Sequence, residues 1–270
     1  NCIAGITTDC INAQPRGLLI WRSLTQWFGG MGIIMLGMML LSRVIGGGMA
    51  LARAELTGPS LSKLRPKLKQ TAFALWGLYL FLTFFEFLLL YFTGAMDLFD
   101  SVNHALTTMP TGGFSTHDAS IGFYDSFLVE SIILIFMFLA GVNFTLLWFI
   151  RDGDFKRAFG DEEFRNYVVY LTVAILAVFV ALLASGTSAG RALRDSMFQV
   201  VSIGTSTGYS STNYMDASWP LVTHLIIFVL MVVGASAGST GGGLKLLRVT
   251  LAFKVAMREL VRIAQPRKVD

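Results

Sequence analysis

The chain has 270 residues, of which 54% are hydrophobic and only 14% charged, with a net charge of +4, 22 phenylalanines and 27 glycines. This composition excludes an ordinary soluble domain, whose charges would be spread along the sequence, and its basic residues cluster between apolar runs, where they suit a membrane's cytoplasmic face better than nucleic acid. Two cysteines, Cys2 and Cys10, are too few for a disulfide framework and wrongly spaced for zinc, and three isolated histidines offer no transition-metal site.

Leu18 to Leu41 is long enough to cross a bilayer, for which a helix needs about 20 residues. It contains Arg22, expected to snorkel or pair, and the cluster Gly29-Gly30-Met31-Gly32, expected to admit the close approach of another helix. Residues 43 to 69 are polar and carry six basic side chains against Glu55, which marks a cytoplasmic loop. Thr71 to Thr93 is the second expected span, and Glu86 is its single charge. A lone intramembrane acid is functional, paired or, nearer the surface, solvated.

Leu98 to Met109 is amphipathic and too short to cross. It reads as a re-entrant pore helix, with an interfacial helix as the alternative. It leads into Thr108-Met109-Pro110-Thr111-Gly112-Gly113-Phe114-Ser115-Thr116, where a proline and two glycines stop the helical pattern. Phe127 to Ile150 is a third span, with Glu130 near its start and Asn143 expected to make a helix-packing hydrogen bond. Residues 151 to 165 form a mixed-charge loop, and Tyr167 to Ala184 is a fourth span. Ala192 to Ile203 then repeats the short amphipathic run and leads into Ser206-Thr207-Gly208-Tyr209-Ser210-Ser211-Thr212. Pairing Gly112 with Gly208 makes the second segment a copy of the first, and Asp100-Ser101 and Asp195-Ser196 precede them at similar distances. A duplicated loop implies a duplicated unit.

The last span starts near Pro220, runs apolar to Val233, breaks over Gly234 to Gly243 and resumes over Leu244 to Val255. Each glycine costs about 1 kcal/mol in a helix interior relative to alanine, so five of them should open the backbone at membrane depth. Open backbone survives there only where protein buries it or it lines a wet cavity. A basic tail ends the chain. Five spans and two re-entrant loops put the start of the chain outside and its end in the cytoplasm.

Gly234-Ala235-Ser236-Ala237-Gly238 matches Gly-x-Ser-x-Gly, and His117 or His224 with Asp118 would have to complete a triad. A membrane-embedded serine hydrolase using Ser236 is therefore an alternative, although the strand and helix that a nucleophile elbow needs are not expected around it. The ion-pathway reading uses more of the chain's odd features. A cation entering a membrane exchanges its hydration shell for oxygen ligands, and loop carbonyls supply them without buried full charges.

These segments resemble the Trk/Ktr/HKT superfamily of potassium and sodium transporters. Thr111 to Asp118 is similar to that family's second filter loop and Ser206 to Tyr209 to its third. Residues 21 to 32 resemble the second helix of its first repeat, and Gly238 to Lys245 its broken helix. The resemblance implies an all-α integral membrane protein of the ion-conducting kind, built from helix, pore helix, filter loop and helix around one pseudo-tetrameric pore. Residues 1–50 would end repeat 1, with Gly5 as a remnant of its filter. Residues 70–155 would form repeat 2, 164–257 repeat 3, and 258–270 a link to a missing repeat 4, so that the chain reads as a fragment.

The implied function is K⁺ uptake across the plasma membrane, with Na⁺ transport by the same superfamily as the alternative. K⁺ would bind at Pro110, Thr111, Gly112 and Gly113 and at Ser206, Thr207, Gly208 and Tyr209. Gly238, Ser239, Thr240, Gly241, Gly242, Gly243 and Lys245 would form an intramembrane gate. The resemblance further implies a homodimer, a cytosolic nucleotide-binding regulatory subunit, symport with a coupling ion, no cofactor and no catalytic residue.

Overall fold

Apolar runs become helices, and the glycine-rich stretches become the breaks between them. The computed structural model describes residues 11–30, 32, 64–216 and 219–264. The expected cytoplasmic loop up to residue 63, much of the first span, Gly5 and the last six residues lie outside the described residues.

Residues 16–30 form helix α1. Helix α2, Leu64–Phe92, begins earlier than expected. Pro66 fits its first turn, where a missing N–H leaves no helical hydrogen bond unmade. Residues Phe73 to Phe92 of α2 are apolar enough to span a membrane, and Phe73, Phe81, Phe84 and Phe92 stand exposed on them. An exposed aromatic surface of this kind suits hydrocarbon rather than water.

Helix α3, Leu98–Thr108, matches the expected half-helix to within a residue. Asp97 caps it by accepting from Asp100 N at 2.7 Å, a cap that stabilises a helix start by about 1 kcal/mol. It packs against α2 and buries Ser101, His104, Ala105 and Thr108. A polar buried face is unusual for an interfacial helix and fits a segment whose polar side serves protein rather than lipid. After a 3₁₀ turn over Ser120–Tyr124, α4 runs Phe127–Gly141.

The expected continuous third span, Phe127 to Ile150, is instead broken. Helix α4 stops at Gly141, and α5, Phe144–Arg151, leaves at 107°. Val142 is extended, and Asn143 caps α5 by accepting from Thr145 N at 2.9 Å. Asn143 is thus a helix cap rather than a packing hydrogen-bonder. The short α6, Phe155–Phe159, precedes α7, Glu162–Ala184, the second helix long and apolar enough to span. Helix α8, Ala189–Gly204, is the second half-helix and packs on α4, α7 and α9.

Helix α9, Leu221–Val232, ends at the expected break. Beyond it β1, Val233–Gly234, pairs in parallel with β2, Leu244–Lys245, in register Val233↔Leu244. This two-residue pairing is the one departure from an all-helical chain among the described residues. It closes the neck of the glycine-rich loop, and α10, Leu246–Ala264, continues beyond. Tyr79, Met109, Ile133, Met137, Tyr167 and Leu230 are among the buried side chains that join these elements into one core.

Candidate functional site

Each half-helix ends in a loop, and the two loops have the same backbone. In the first, Gly112 N and Gly113 N both donate to Thr107 O, at 2.8 and 3.2 Å, and Thr111 N donates to Thr108 O at 2.8 Å. In the second, Thr207 N and Gly208 N both donate to Ser202 O, at 2.8 and 3.1 Å, and Ser206 N donates to Ile203 O at 2.9 Å. The hydroxyls of Thr107 and Ser202 then cross their loops to Phe114 O at 2.9 Å and Tyr209 O at 2.6 Å. Thr111 and Ser206 share a positive φ, 55° and 62°, as do Gly113 and Gly208, at 65° and 89°.

This register corrects the sequence pairing by one residue. Gly113, not Gly112, corresponds to Gly208, and Gly112 corresponds to Thr207. The double glycine hid the shift, because either glycine satisfies a Thr-Gly-aromatic pattern.

Carbonyl bookkeeping separates the predicted ion-binding residues into two groups. No hydrogen bond among the described residues ends on the carbonyls of Thr111, Gly112, Gly113, Ser206, Thr207 or Gly208. Pro110 O accepts from Thr111 Oγ1 at 2.6 Å, and Tyr209 O accepts from Ser202 Oγ. Both loops therefore leave the three carbonyls at matched positions without a donor among the described residues, closed in the first loop by Pro110 O and Phe114 O and in the second by Tyr209 O, which hydroxyls hold. The loops also meet: a Cβ on Gly113 would collide with the Thr207 carbonyl.

The Tyr209 side chain ties one loop to the other's half-helix. Its hydroxyl lies 2.6 Å from Thr107 Oγ1 and 3.2 Å from His104 O, fully buried. His104 in turn bonds Asp100 O through Nδ1 at 2.7 Å and Ser115 Oγ through Nε2 at 3.0 Å. Asp100 gathers Thr116 Oγ1 at 2.7 Å, Tyr124 Oη at 2.8 Å and His117 Nε2 at 3.0 Å. Burial alone would raise the Asp100 carboxyl, but these three hydrogen bonds, with the charge of His117, hold it below the ordinary aspartate range.

Helix α1 reaches the same loop. The Arg22 guanidinium donates to Ser115 O and lies over the Phe114 ring, 4.8 Å from its centroid. Ser23 Oγ donates to Asn103 Oδ1 at 2.7 Å. The glycine cluster of α1 does permit a close approach, by the first loop as well as by a side chain of α2: a Cβ on Gly30 would come within 2.8 Å of Pro110 Cα and 3.0 Å of the Tyr79 hydroxyl. His104, Asp100 and Ser23 were not singled out from sequence for this work. For Asp100 and His104 the signal was polarity on a short helix between apolar spans, and for Ser23 a small polar residue one position after Arg22 in an apolar run.

The broken stretch after α9 lies against both loops. Thr240 Oγ1 donates to Met109 O at 2.9 Å and Ala140 O at 3.2 Å, and Gly242 N donates to Ser206 Oγ at 2.5 Å. It also fills the break in the third span, since Ser236 N donates to Gly141 O at 3.1 Å and Phe144 N to Gly238 O at 3.2 Å. Two interrupted helices thus complete each other's backbone hydrogen bonding, which open backbone at membrane depth requires. Lys245 Nζ donates to Gly241 O and lies 3.4 Å from Ser239 Oγ, while Glu163 Oε1 of α7 accepts from Ala237 N. Ser236 is buried, and the three histidine rings bond Ser115, Asp100 and Pro220 instead. No triad forms around it.

The model of a family described as cation transport protein, TrkH, matches residues 3–270. The chain belongs to the TrkH family. It is 40% identical over 263 residues to the Trk system potassium uptake protein TrkH of Escherichia coli K12, covering 96% of this chain and 54% of that protein. With the TrkH of Vibrio parahaemolyticus it shares 39% identity over 265 residues, again 96% of this chain and 54% of the relative. The Escherichia coli K12 protein TrkG is 34% identical over 277 residues, 98% of this chain and 56% of that protein. Among solved structures, the crystal structure of the potassium transporter TrkH from Vibrio parahaemolyticus superposes with a TM-score of 0.82 at 35% identity, covering 96% of this chain and 53% of that one.

The chain spans about half the length of the relatives it matches. TrkH membership makes it an integral membrane protein of a transport family and displaces the hydrolase alternative, in keeping with the buried Ser236. Among the described residues no group of acidic, histidine or cysteine side chains is arranged to hold a metal.

Proposed function

We propose that this chain forms two quarters of a K⁺ uptake pathway, in which the free carbonyls of Thr111 to Gly113 and Ser206 to Gly208 bind the dehydrated ion. The observation that carries the reading is the matched pair of loops, with unengaged carbonyls at three corresponding positions. Each loop also starts at the C-terminal end of a half-helix, where the helix dipole presents partial negative charge and favours a cation. The hydroxyls of Thr107 and Ser202 fix the frame, so the carbonyls need little reorganisation when the ion arrives. Pro110 and Tyr209 belong to that frame rather than to the ligand set.

In this reading residues 70–155 and 164–257 are the second and third repeats of a pseudo-tetrameric pore, 1–50 the end of the first and 258–270 the link to a fourth. Gly238 to Gly243 with Lys245 form the gate, since Thr240 and Gly242 bond groups at the base of both loops and Lys245 bonds the gate's own backbone. The protein would lie in the plasma membrane, start of the chain outside and end inside, as a homodimer with a cytosolic nucleotide-binding partner. Symport and the coupling ion rest on the resemblance alone.

Uptake of radioactive rubidium into vesicles carrying the complete protein tests the function. Competition by K⁺ and not by Na⁺ is expected. Equal competition by both ions would favour Na⁺ transport within the same family.

A further inference from the structure

One stripe of α1 runs along the first loop. Arg22 donates to Ser115 O, Gln26 lies against Gly112, and Gly30 lies against Pro110. Residues four apart share a face of a helix, so Arg22, Gln26 and Gly30 meet the loop in turn from Ser115 back to its foot. The central contact is the tightest: a Cβ on Gly112 would fall on the Gln26 amide oxygen. That oxygen is buried and accepts no hydrogen bond among the described residues. What it brings to the loop is therefore its shape.

The second loop fills the same place by itself. Gly112 corresponds to Thr207, whose side chain is buried with Oγ1 2.8 Å from Thr205 Oγ1. The first loop has Pro110 and Gly112 at these two positions and so lacks both hydroxyls. Its backbone does not demand a glycine at Gly112, because the positive φ belongs to Gly113, whose Cβ would also meet the Thr207 carbonyl. The atoms nearest to a Cβ on Gly112 all belong to Gln26.

We propose that Gln26 fills, from α1, the side-chain place that Gly112 leaves empty, which makes it a positioning residue for the free carbonyls of the first loop. Its amide bears on the middle one of Thr111, Gly112 and Gly113, whose carbonyls accept no hydrogen bond among the described residues. Without the amide, Gly112 would face a void. The loop would then settle toward α1 and draw its carbonyls out of line with their counterparts at Ser206 to Gly208. The proposal deepens the K⁺ pathway reading and rests on it for the functional consequence.

The test uses the complete transporter in vesicles and reads both the K⁺ to Na⁺ uptake ratio and the thermal midpoint. Gln26→Ala should lower the ratio about fivefold, within the range for residues in direct contact. Adding Gly112→Ala returns an atom to the vacated place and should recover most of the loss, whereas adding Gly113→Ala should recover none. Gln26→Met keeps the length of the side chain and gives up no hydrogen bond of the amide oxygen, so it should hold the wild-type ratio. An unchanged ratio in Gln26→Ala, no rescue by Gly112→Ala, or a Gln26→Met protein as impaired as Gln26→Ala overturns the proposal. Should Gln26→Ala fail to fold, the shorter Gln26→Asn takes its place, with the same direction expected. A wild type without ion preference, whose midpoint falls in Gln26→Ala and recovers with Gly112→Ala, would refute the K⁺ pathway and uphold the place of Gln26 against Gly112.

Discussion

The Tyr209 hydroxyl lies 2.6 Å from Thr107 Oγ1, so the aromatic residue of one loop is anchored in the half-helix that precedes the other. Tyr209→Phe keeps the ring and removes this link. The expected loss is about 1 kcal/mol, the net value of one buried hydrogen bond, read as a lower thermal midpoint of the complete protein. Because Thr107 also holds Phe114 O, the variant should weaken ion preference as well as stability. An unchanged midpoint would show that the link carries no energy.

Asp100 gives the account a pH dependence. Its carboxyl is held below the ordinary range, so its contribution is fully present above the unfolded value of about 3.9 and disappears as pH falls through the lower folded value. Stability should be flat for this group from neutral pH to about pH 4 and fall below that. Asp100→Asn should lower stability at neutral pH and narrow the gap to wild type under acid conditions. A gap that widens under acid conditions would reverse the sign and refute the argument.

Two adjacent glycines of α1 separate packing from helix propensity. A side chain on Gly30 meets Pro110 and the Tyr79 hydroxyl, whereas one on Gly29 meets open space. Gly30→Val should displace α1 from the first loop at a cost of about 1–3 kcal/mol and reduce uptake. Gly29→Ala should be neutral or slightly stabilising, since alanine is the better helix former. Equal effects at the two positions would contradict the close approach.

The half-helices were legible because their period, polarity and stop signals agree. Leu98 to Met109 was expected where α3 spans Leu98–Thr108, and the break at Gly234 fell where α9 ends. The break in the third span was not legible, since Gly141 and Asn143 sit in a run apolar enough to cross unbroken. What opens it is the remote backbone of Ser236 and Gly238, and a tertiary partner of that kind leaves no local signature. The one-residue register of the loops was hidden by Gly112-Gly113, which only backbone angles could separate.

Thr240 joins the broken segment to Met109 O at the foot of the first loop and to Ala140 O of α4. Thr240→Val keeps the shape and removes the donor. If the segment gates the pathway, this variant should raise basal rubidium uptake severalfold, a change of about 1 kcal/mol in the closed state. Uptake at the wild-type rate would argue that these bonds serve the fold alone.

The central claim is that two matched loops, in the register set by Gly113 and Gly208, select the ion. The most direct measurement is the K⁺ to Na⁺ uptake ratio of the complete protein in vesicles, for wild type, Gly113→Ser and Gly208→Ser. Both positions have φ values that side chains rarely adopt, and Gly113 also faces the Thr207 carbonyl. Both variants should lower the ratio by about tenfold or more, the equivalent of about 1.4 kcal/mol. A ratio unchanged in either variant, in protein that still transports, would contradict the account.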